Sequence, residues 1–148
     1  MPYRHTQVGT VIIIALLGTA FVALLALALA PSPYPPILFA VLGFVGVTLA
    51  LFYSLTVEIQ DSTLTCRFGV GLIRRQIPLS DVDQVRAVLN PWYVGWGIRW
   101  IPGRYWVWNV SGFRAVELVM KDGRRFRIGT DEPEALVRAI DLTRMART

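Results

Sequence analysis

Apolar and polar positions fall into two regimes along this chain. Residues 8–55 carry no charged side chain and are almost continuously apolar. Two stretches stand out, 23 residues at 8–30 and 19 residues at 37–55. A helix rises about 1.5 Å per residue, so the longer stretch reaches roughly 35 Å, enough for a hydrocarbon core of about 30 Å. Between them, Pro31-Ser32-Pro33-Tyr34-Pro35-Pro36 places four prolines in six residues. Proline lacks the N–H that a helix needs, and its ring clashes with the preceding turn. The pattern predicts a transmembrane helical hairpin. A cleaved signal peptide is the alternative reading, because Ala28-Leu29-Ala30 resembles a small-x-small cleavage site. Against it, the apolar run exceeds a usual signal core of about 7–15 residues, and Pro31 would follow the cut.

After Leu55 the period drops to two. Alternation predicts strands over residues 56–60, 63–68, 72–77, 84–89, 105–110, 113–120 and 124–129, with Val57, Ile59, Leu64, Cys66, Phe68, Val116, Leu118, Met120, Phe126 and Ile128 inward. Lys121-Asp122-Gly123 is a hairpin signal, and residues 78–82 suggest a bend or one helical turn. The period then lengthens. Thr130-Asp131-Glu132-Pro133-Glu134 has the capping, proline and acidic features of a helix start. Leu136, Val137, Ile140 and Met145 share one face to about Arg147. The expected fold class is a membrane α-helical hairpin followed by an α+β, mainly-β domain of seven strands and a C-terminal helix. Residues 1–55 form the N-terminal and membrane part and 56–148 the water-soluble domain. No linker separates them, so the domain is expected to sit against the bilayer.

That order is the order of a pleckstrin-homology-like barrel. Gly95-Trp96-Gly97-Ile98-Arg99, Trp106-Val107-Trp108-Asn109-Val110-Ser111-Gly112, Ala115-Val116-Glu117-Leu118 and Arg127-Ile128-Gly129-Thr130-Asp131-Glu132-Pro133 resemble small bacterial membrane proteins with a PH-like domain. The resemblance implies an anchored PH-like fold rather than a reaction. It departs from phosphoinositide-binding PH domains, whose basic cluster lies across the first two strands. Here the connecting loop is Asp61-Ser62, with no lysine or arginine until Arg67.

Charge adds orientation. Of the 15 Lys and Arg residues only Arg4 precedes the spans, the interhelical loop has none, and all 10 acidic residues follow Leu55. Basic flanks stay inside, which predicts an inner (plasma) membrane protein with both termini cytoplasmic. The small residues Ala15, Thr19 and Ala23 on the first span, and Gly43, Gly46 and Ala50 on the second, permit close helix packing, within one chain or between copies. Arg74-Arg75 and Arg124-Arg125-Arg127 are candidates to face anionic lipid or to lie on solvated strand faces.

All five tryptophans fall within residues 92–108. Glycines and prolines across residues 90–104 predict a long loop there, and such loops are commonly functional. Trp92, Tyr93, Trp96, Arg99, Trp100 and Arg104 are the candidate contact residues. They could fill the barrel mouth, dock on the headgroup region of the bilayer or bind a partner. Catalytic chemistry is thin. The one histidine, His5, and the one cysteine, Cys66, are distant in sequence, and no set of zinc ligands is spaced for a site. The acidic pairs at 81/83 and 131–134 read as solvated or capping groups. The expectation is a non-enzymatic, membrane-anchored interaction or adaptor module, without cofactor or metal. Its partners would be the lipid bilayer and another membrane or cytosolic protein or a second copy, not nucleic acid. The alternative is an accessory subunit assembled through its spans into a larger membrane complex.

Overall fold

A computed structural model describes residues 3–29 and 35–146. Two helices, α1 (Thr10–Leu29) and α2 (Pro35–Phe52), pack against each other. Both are long and apolar enough to cross a membrane. They are apolar all round, and only Ala23 and Val45 are buried within them. Helices with that surface need an apolar covering on nearly every side. Most of the proline-rich loop lies outside the described residues, as do Ala30 of the possible cleavage site and Arg147. Pro35 and Pro36 belong to the first turn of α2, where a missing N–H costs no helical bond.

The rest of the fold is two antiparallel-rich sheets and one helix. The first sheet has the order β1 (Tyr3–Val8), β2 (Ser54–Gln60), β3 (Thr63–Phe68) and β4 (Ile73–Pro78). The second contains β5 (Val82–Leu89), β6 (Gly97–Ile101), β7 (Tyr105–Asn109), β8 (Arg114–Met120) and β9 (Arg125–Gly129), ordered β5-β8-β9-β7-β6. All pairs are antiparallel except β7 with β9. Helix α3 (Pro133–Met145) follows. The core joins Leu55, Val57, Ile59, Leu64, Cys66 and Phe68 of the first sheet to Trp108, Val116, Leu118, Phe126 and Ile128 of the second, and to Leu136 and Ile140 of α3. Met145, expected on the buried face, is 71% exposed at the frayed end of α3.

These nine strands form two open sheets, not a closed seven-stranded barrel. All seven expected strands are present, and two more join them. The first addition is β1. Its six residues lie ahead of α1 yet pair with β2, from Tyr3↔Ile59 to Val8↔Ser54. The helical hairpin therefore leaves and returns to the same sheet, and the Gly9 N–H donates to the Tyr53 carbonyl at 2.7 Å across its base. The second is β6, inside the segment expected to be a loop. Pro102-Gly103 does not end structure there; it turns β6 into β7. The Arg104 N–H donates to the Ile101 carbonyl at 3.0 Å, with Gly103 at φ 69°, as a type II turn requires.

The turn between β3 and β4 is wedged against α2. The Gly69 N–H donates to the Ser54 carbonyl at 2.9 Å and the Val70 N–H to the Ala50 carbonyl at 3.3 Å. A side chain at Gly69 would run into the backbone of Ala50 and Leu51, and its φ is 43°. Gly69→Ala is expected to destabilise the protein by more than about 1 kcal/mol, read as a lowered melting temperature in detergent micelles. A variant melting with the wild type would mean that this turn is not fixed to the helix.

Candidate functional site

Strand direction divides the β-rich part into two ends. β1 runs into α1, and β2 begins where α2 stops. The turn at residues 69–72 is bonded to α2, as above. Residues 110–113 also lie at this end. The Gln7 side-chain amide donates to the Ser111 carbonyl at 3.1 Å, and a side chain at Gly9 would meet Val110. The segment 90–96 is tied to that turn in turn. The Asn90 N–H donates to the Phe113 carbonyl at 2.7 Å, and the Trp96 indole N–H to the Gly112 carbonyl at 3.2 Å.

Exposed apolar side chains concentrate at this helix-side rim: Tyr53, Val70, Leu72, Leu89, Trp92, Tyr93 and Phe113. Leu72 and Trp92 are 78% and 79% exposed. The opposite rim is built from Asp61-Ser62, Leu79-Ser80-Asp81, Pro102-Gly103-Arg104 and Lys121-Asp122-Gly123-Arg124. Of these, only Leu79 is a large apolar side chain, and it is buried, while Trp100 and Trp106 on the strands leading to this rim and Leu142 and Met145 at the end of α3 are exposed. Isolated exposed apolar side chains are ordinary, whereas a dense group of them, as at the helix-side rim, is characteristic of an interaction surface.

The six aromatic and arginine candidates do not form one cluster. Trp92 and Tyr93 sit on a short 3-10 turn (Trp92–Val94), edge to face at 6.1 Å, pinned by the buried side chain of Val94. Trp96 lies 6.0 Å from the Phe113 ring, and Arg99 folds back to donate to the Trp96 carbonyl at 3.4 Å. These four belong to the helix-side rim. Trp100 pairs with Trp106 further along β6, their rings 6.3 Å apart. Three strand steps, roughly 10 Å, separate Trp100 from Gly97 at the rim. Arg104 lies beyond, in the far turn. Trp108 is a core residue.

The other candidates separate as well. Ala15, Thr19 and Ala23 line an open groove with Leu38 and Val41 of α2. Gly43, Gly46 and Ala50 are exposed, and a side chain at Gly43 or Gly46 would meet nothing, so that stripe does not pack on α1. Of the arginines at 74, 75, 124, 125 and 127, only Arg74 is both near the helices and outward. Arg75 turns inward over the Phe126 ring at 4.7 Å. Arg124 pairs with Asp122 at the far rim.

Arg127 is not a solvated residue. It belongs to an ionic cluster centred on Glu117, which is fully buried in the middle of the second sheet. The Arg127 Nε donates to Glu117 Oε2 at 2.7 Å and the Arg86 Nε to Oε1 at 2.8 Å. Arg127 also donates to the Asn90 side-chain oxygen at 3.1 Å and lies 3.7 Å over the Tyr105 ring. Burial opposes the charge on Glu117, but the bonds from Arg127 and Arg86 outweigh it and hold the carboxyl below its ordinary range. This cluster anchors Asn90, where the rim segment 90–96 begins.

His5 is also not isolated. Its Nε2 lies 2.6 Å from Asp131 Oδ1, fastening β1 to the segment that starts α3. Burial pushes the Cys66 thiol up to about 12, which leaves it a poor nucleophile at neutral pH. Among the described residues no three His, Cys, Asp or Glu side chains group as metal ligands would.

Sequence reasoning missed Val70, Leu72, Leu89 and Phe113. The available signal was at residues 69–72: a hairpin turn with apolar residues where turns usually carry polar ones. No protein-family model matches this sequence, and no curated protein matches it.

Proposed function

We propose that this chain is a membrane-anchored, non-enzymatic interaction module. In this reading α1 and α2 cross the plasma membrane, and the water-soluble domain is PH-like and seated directly on the cytoplasmic face. The observation that carries it is the coincidence of the exposed apolar rim with the end where the helices leave the domain. A bilayer entered by the helices meets that rim first. Trp, Tyr and Arg, the side chains of the segment 92–99, favour the headgroup region.

Other features support the reading. β1 precedes α1 and is built into the same sheet as β2, so both ends of the hairpin lie on one side. An uncleaved first helix accounts for that pairing, because removal of a signal peptide would remove β1. The basic excess after Leu55 favours the cytoplasmic side. The PH-like assignment rests on the strand order after the spans and on α3 packed against the core. The parallel β7–β9 pair and the added β1 and β6 are departures from a simple meandering barrel.

The test uses the full chain in liposomes containing brominated lipid, because a fragment starting at residue 56 would lack β1. Variants retaining single tryptophans are compared. Trp92 and Trp96 are expected to be quenched by the brominated acyl chains, and Trp100 and Trp106 not. Equal quenching at both pairs, or none at Trp92 and Trp96, would overturn the seating.

A second reading, an accessory subunit of a larger membrane complex, is favoured by the exposed Gly43, Gly46 and Ala50 face of α2. Membrane crosslinking should then give an adduct that Gly46→Leu abolishes; an adduct that survives Gly46→Leu, or a chain that crosslinks to nothing, removes this reading.

A further inference from the structure

The β3–β4 hairpin holds two arginines in an arrangement that costs stability. Arg67 and Arg74 are directly opposite in the register, and like charges so placed repel. Both project to the outer face of the first sheet, since Cys66 and Phe68 on either side of Arg67 are core residues. The one carboxylate in range is Glu58, 3.9 Å from Arg67. Among the described residues the Arg74 side chain makes no ion pair or hydrogen bond. The stem of Arg67 leans over the turn, its Cδ 3.9 Å from where a side chain on Gly71 would begin.

The depth of this turn follows from its bonds to α2. Val70 is joined to Ala50, two residues before the end of that helix. With 18 residues, α2 is about 27 Å long, slightly less than a hydrocarbon core of about 30 Å. With the domain seated as proposed above, the apolar boundary is taken at the end of α2, beside the turn that carries Val70. Val70 and Leu72, both exposed, project at that boundary. Arg67 and Arg74 stand two or three strand steps above it, roughly 7–10 Å, with Arg67 leaning back. That is the depth of lipid phosphates.

We propose that Arg67 and Arg74, with Val70 and Leu72 beneath them, form a binding site for the phosphate of an anionic phospholipid in the leaflet that carries the domain. The two guanidinium groups share the phosphate, which also relieves their mutual repulsion. Val70 and Leu72 lie against the upper acyl chains. The site rests on the seating proposed above, but it belongs to the first sheet and uses none of the tryptophan segment.

The experiment places the full chain in nanodiscs of phosphatidylcholine with an increasing share of phosphatidylglycerol. The melting midpoint is read for wild type, for Arg67→Gln with Arg74→Gln, and for Arg125→Gln at the far rim. Wild type and Arg125→Gln are expected to rise in midpoint with phosphatidylglycerol, and the double variant to stay flat. Each basic side chain near an anionic surface contributes about a five-fold preference, so the double variant should also retain roughly 25-fold less phosphatidylglycerol on purification. An equal rise in the double variant, or a flat wild type, overturns the site. Inorganic phosphate reproducing the rise in pure phosphatidylcholine would show a free-anion site and overturn the lipid assignment. Quenching of Trp92 and Trp96 by brominated phosphatidylcholine, read in parallel, separates the two proposals. Quenching with no phosphatidylglycerol dependence fails the site alone, and loss of both fails the seating as well.

Discussion

Glu117→Ala is expected to destabilise the two-sheet part of the protein by about 3–5 kcal/mol, the usual loss when one member of a buried ion pair is removed. Glu117 is fully buried, whereas its partners are not equally so: the side chain of Arg127 is 13% exposed and that of Arg86 54%. Most of the loss therefore comes from Arg127, which would be left charged beside Tyr105 and Asn90. Arg86 can turn to water. Equilibrium unfolding of the full chain in micelles reads the effect, and a loss below about 1 kcal/mol would mean that Arg127 also escapes to solvent. The same residue predicts a pH dependence. Its folded carboxyl titrates below its ordinary value of 4.5, so its stabilisation is complete above that value and is lost as pH falls through the lower folded one. Glu117→Gln should flatten that acidic limb while lowering stability at neutral pH.

Phe68→Ala is expected to cost about 3–5 kcal/mol, the range for emptying a buried aromatic site. Phe68 is the second of four rings in file. It lies 5.2 Å from Phe52 at the end of α2 and 5.1 Å from Trp108, which lies 5.8 Å from Phe126. Removing it cuts the packed path between α2 and the second sheet. Two readouts are expected to move together: the melting midpoint drops, and the fluorescence of Trp108 shifts toward that of a hydrated indole. Phe68→Leu should cost much less. A midpoint within a degree of wild type for Phe68→Ala would show that the site collapses without loss, and that this file of rings is incidental.

Much of the architecture is legible in local patterns. Leu64, Cys66 and Phe68 alternate because β3 has one wet face, and Leu136 and Ile140 are four apart because α3 has one buried stripe. What was not legible depends on partners distant along the chain. Tyr3-Arg4-His5-Thr6-Gln7-Val8 holds three strand-favouring residues but no apolar alternation; its pairing with β2, beyond the hairpin, completes it as a strand. Glu117 reads as a solvated residue between Val116 and Leu118. Its burial depends on Arg86 and Arg127, 31 and 10 residues away. In the aromatic segment, composition identified the side chains but not their division. The Pro102-Gly103 turn sends Trp100 and Arg104 away from the rim and leaves Trp92, Tyr93 and Trp96 on it. Val70 and Leu72 were hidden because a glycine-flanked turn is read for its bend rather than for its side chains.

The pairing of β1 with β2 has a consequence for how the protein is made. β1 leaves the ribosome before α1, and its partner only after α2. In a free chain, closing a loop of that length would cost about 3 kcal/mol in entropy. In the proposed arrangement an inserted hairpin would remove that search, because it would deliver Val8 and Ser54 to the same side and within one hydrogen bond of each other's flanks. If only one helix entered the bilayer, the two strands would emerge on opposite faces and the sheet would lack its first strand. Under the proposed membrane arrangement, completion of the sheet would therefore check insertion: the β-rich half would reach its full stability only on chains whose two helices had both entered the bilayer.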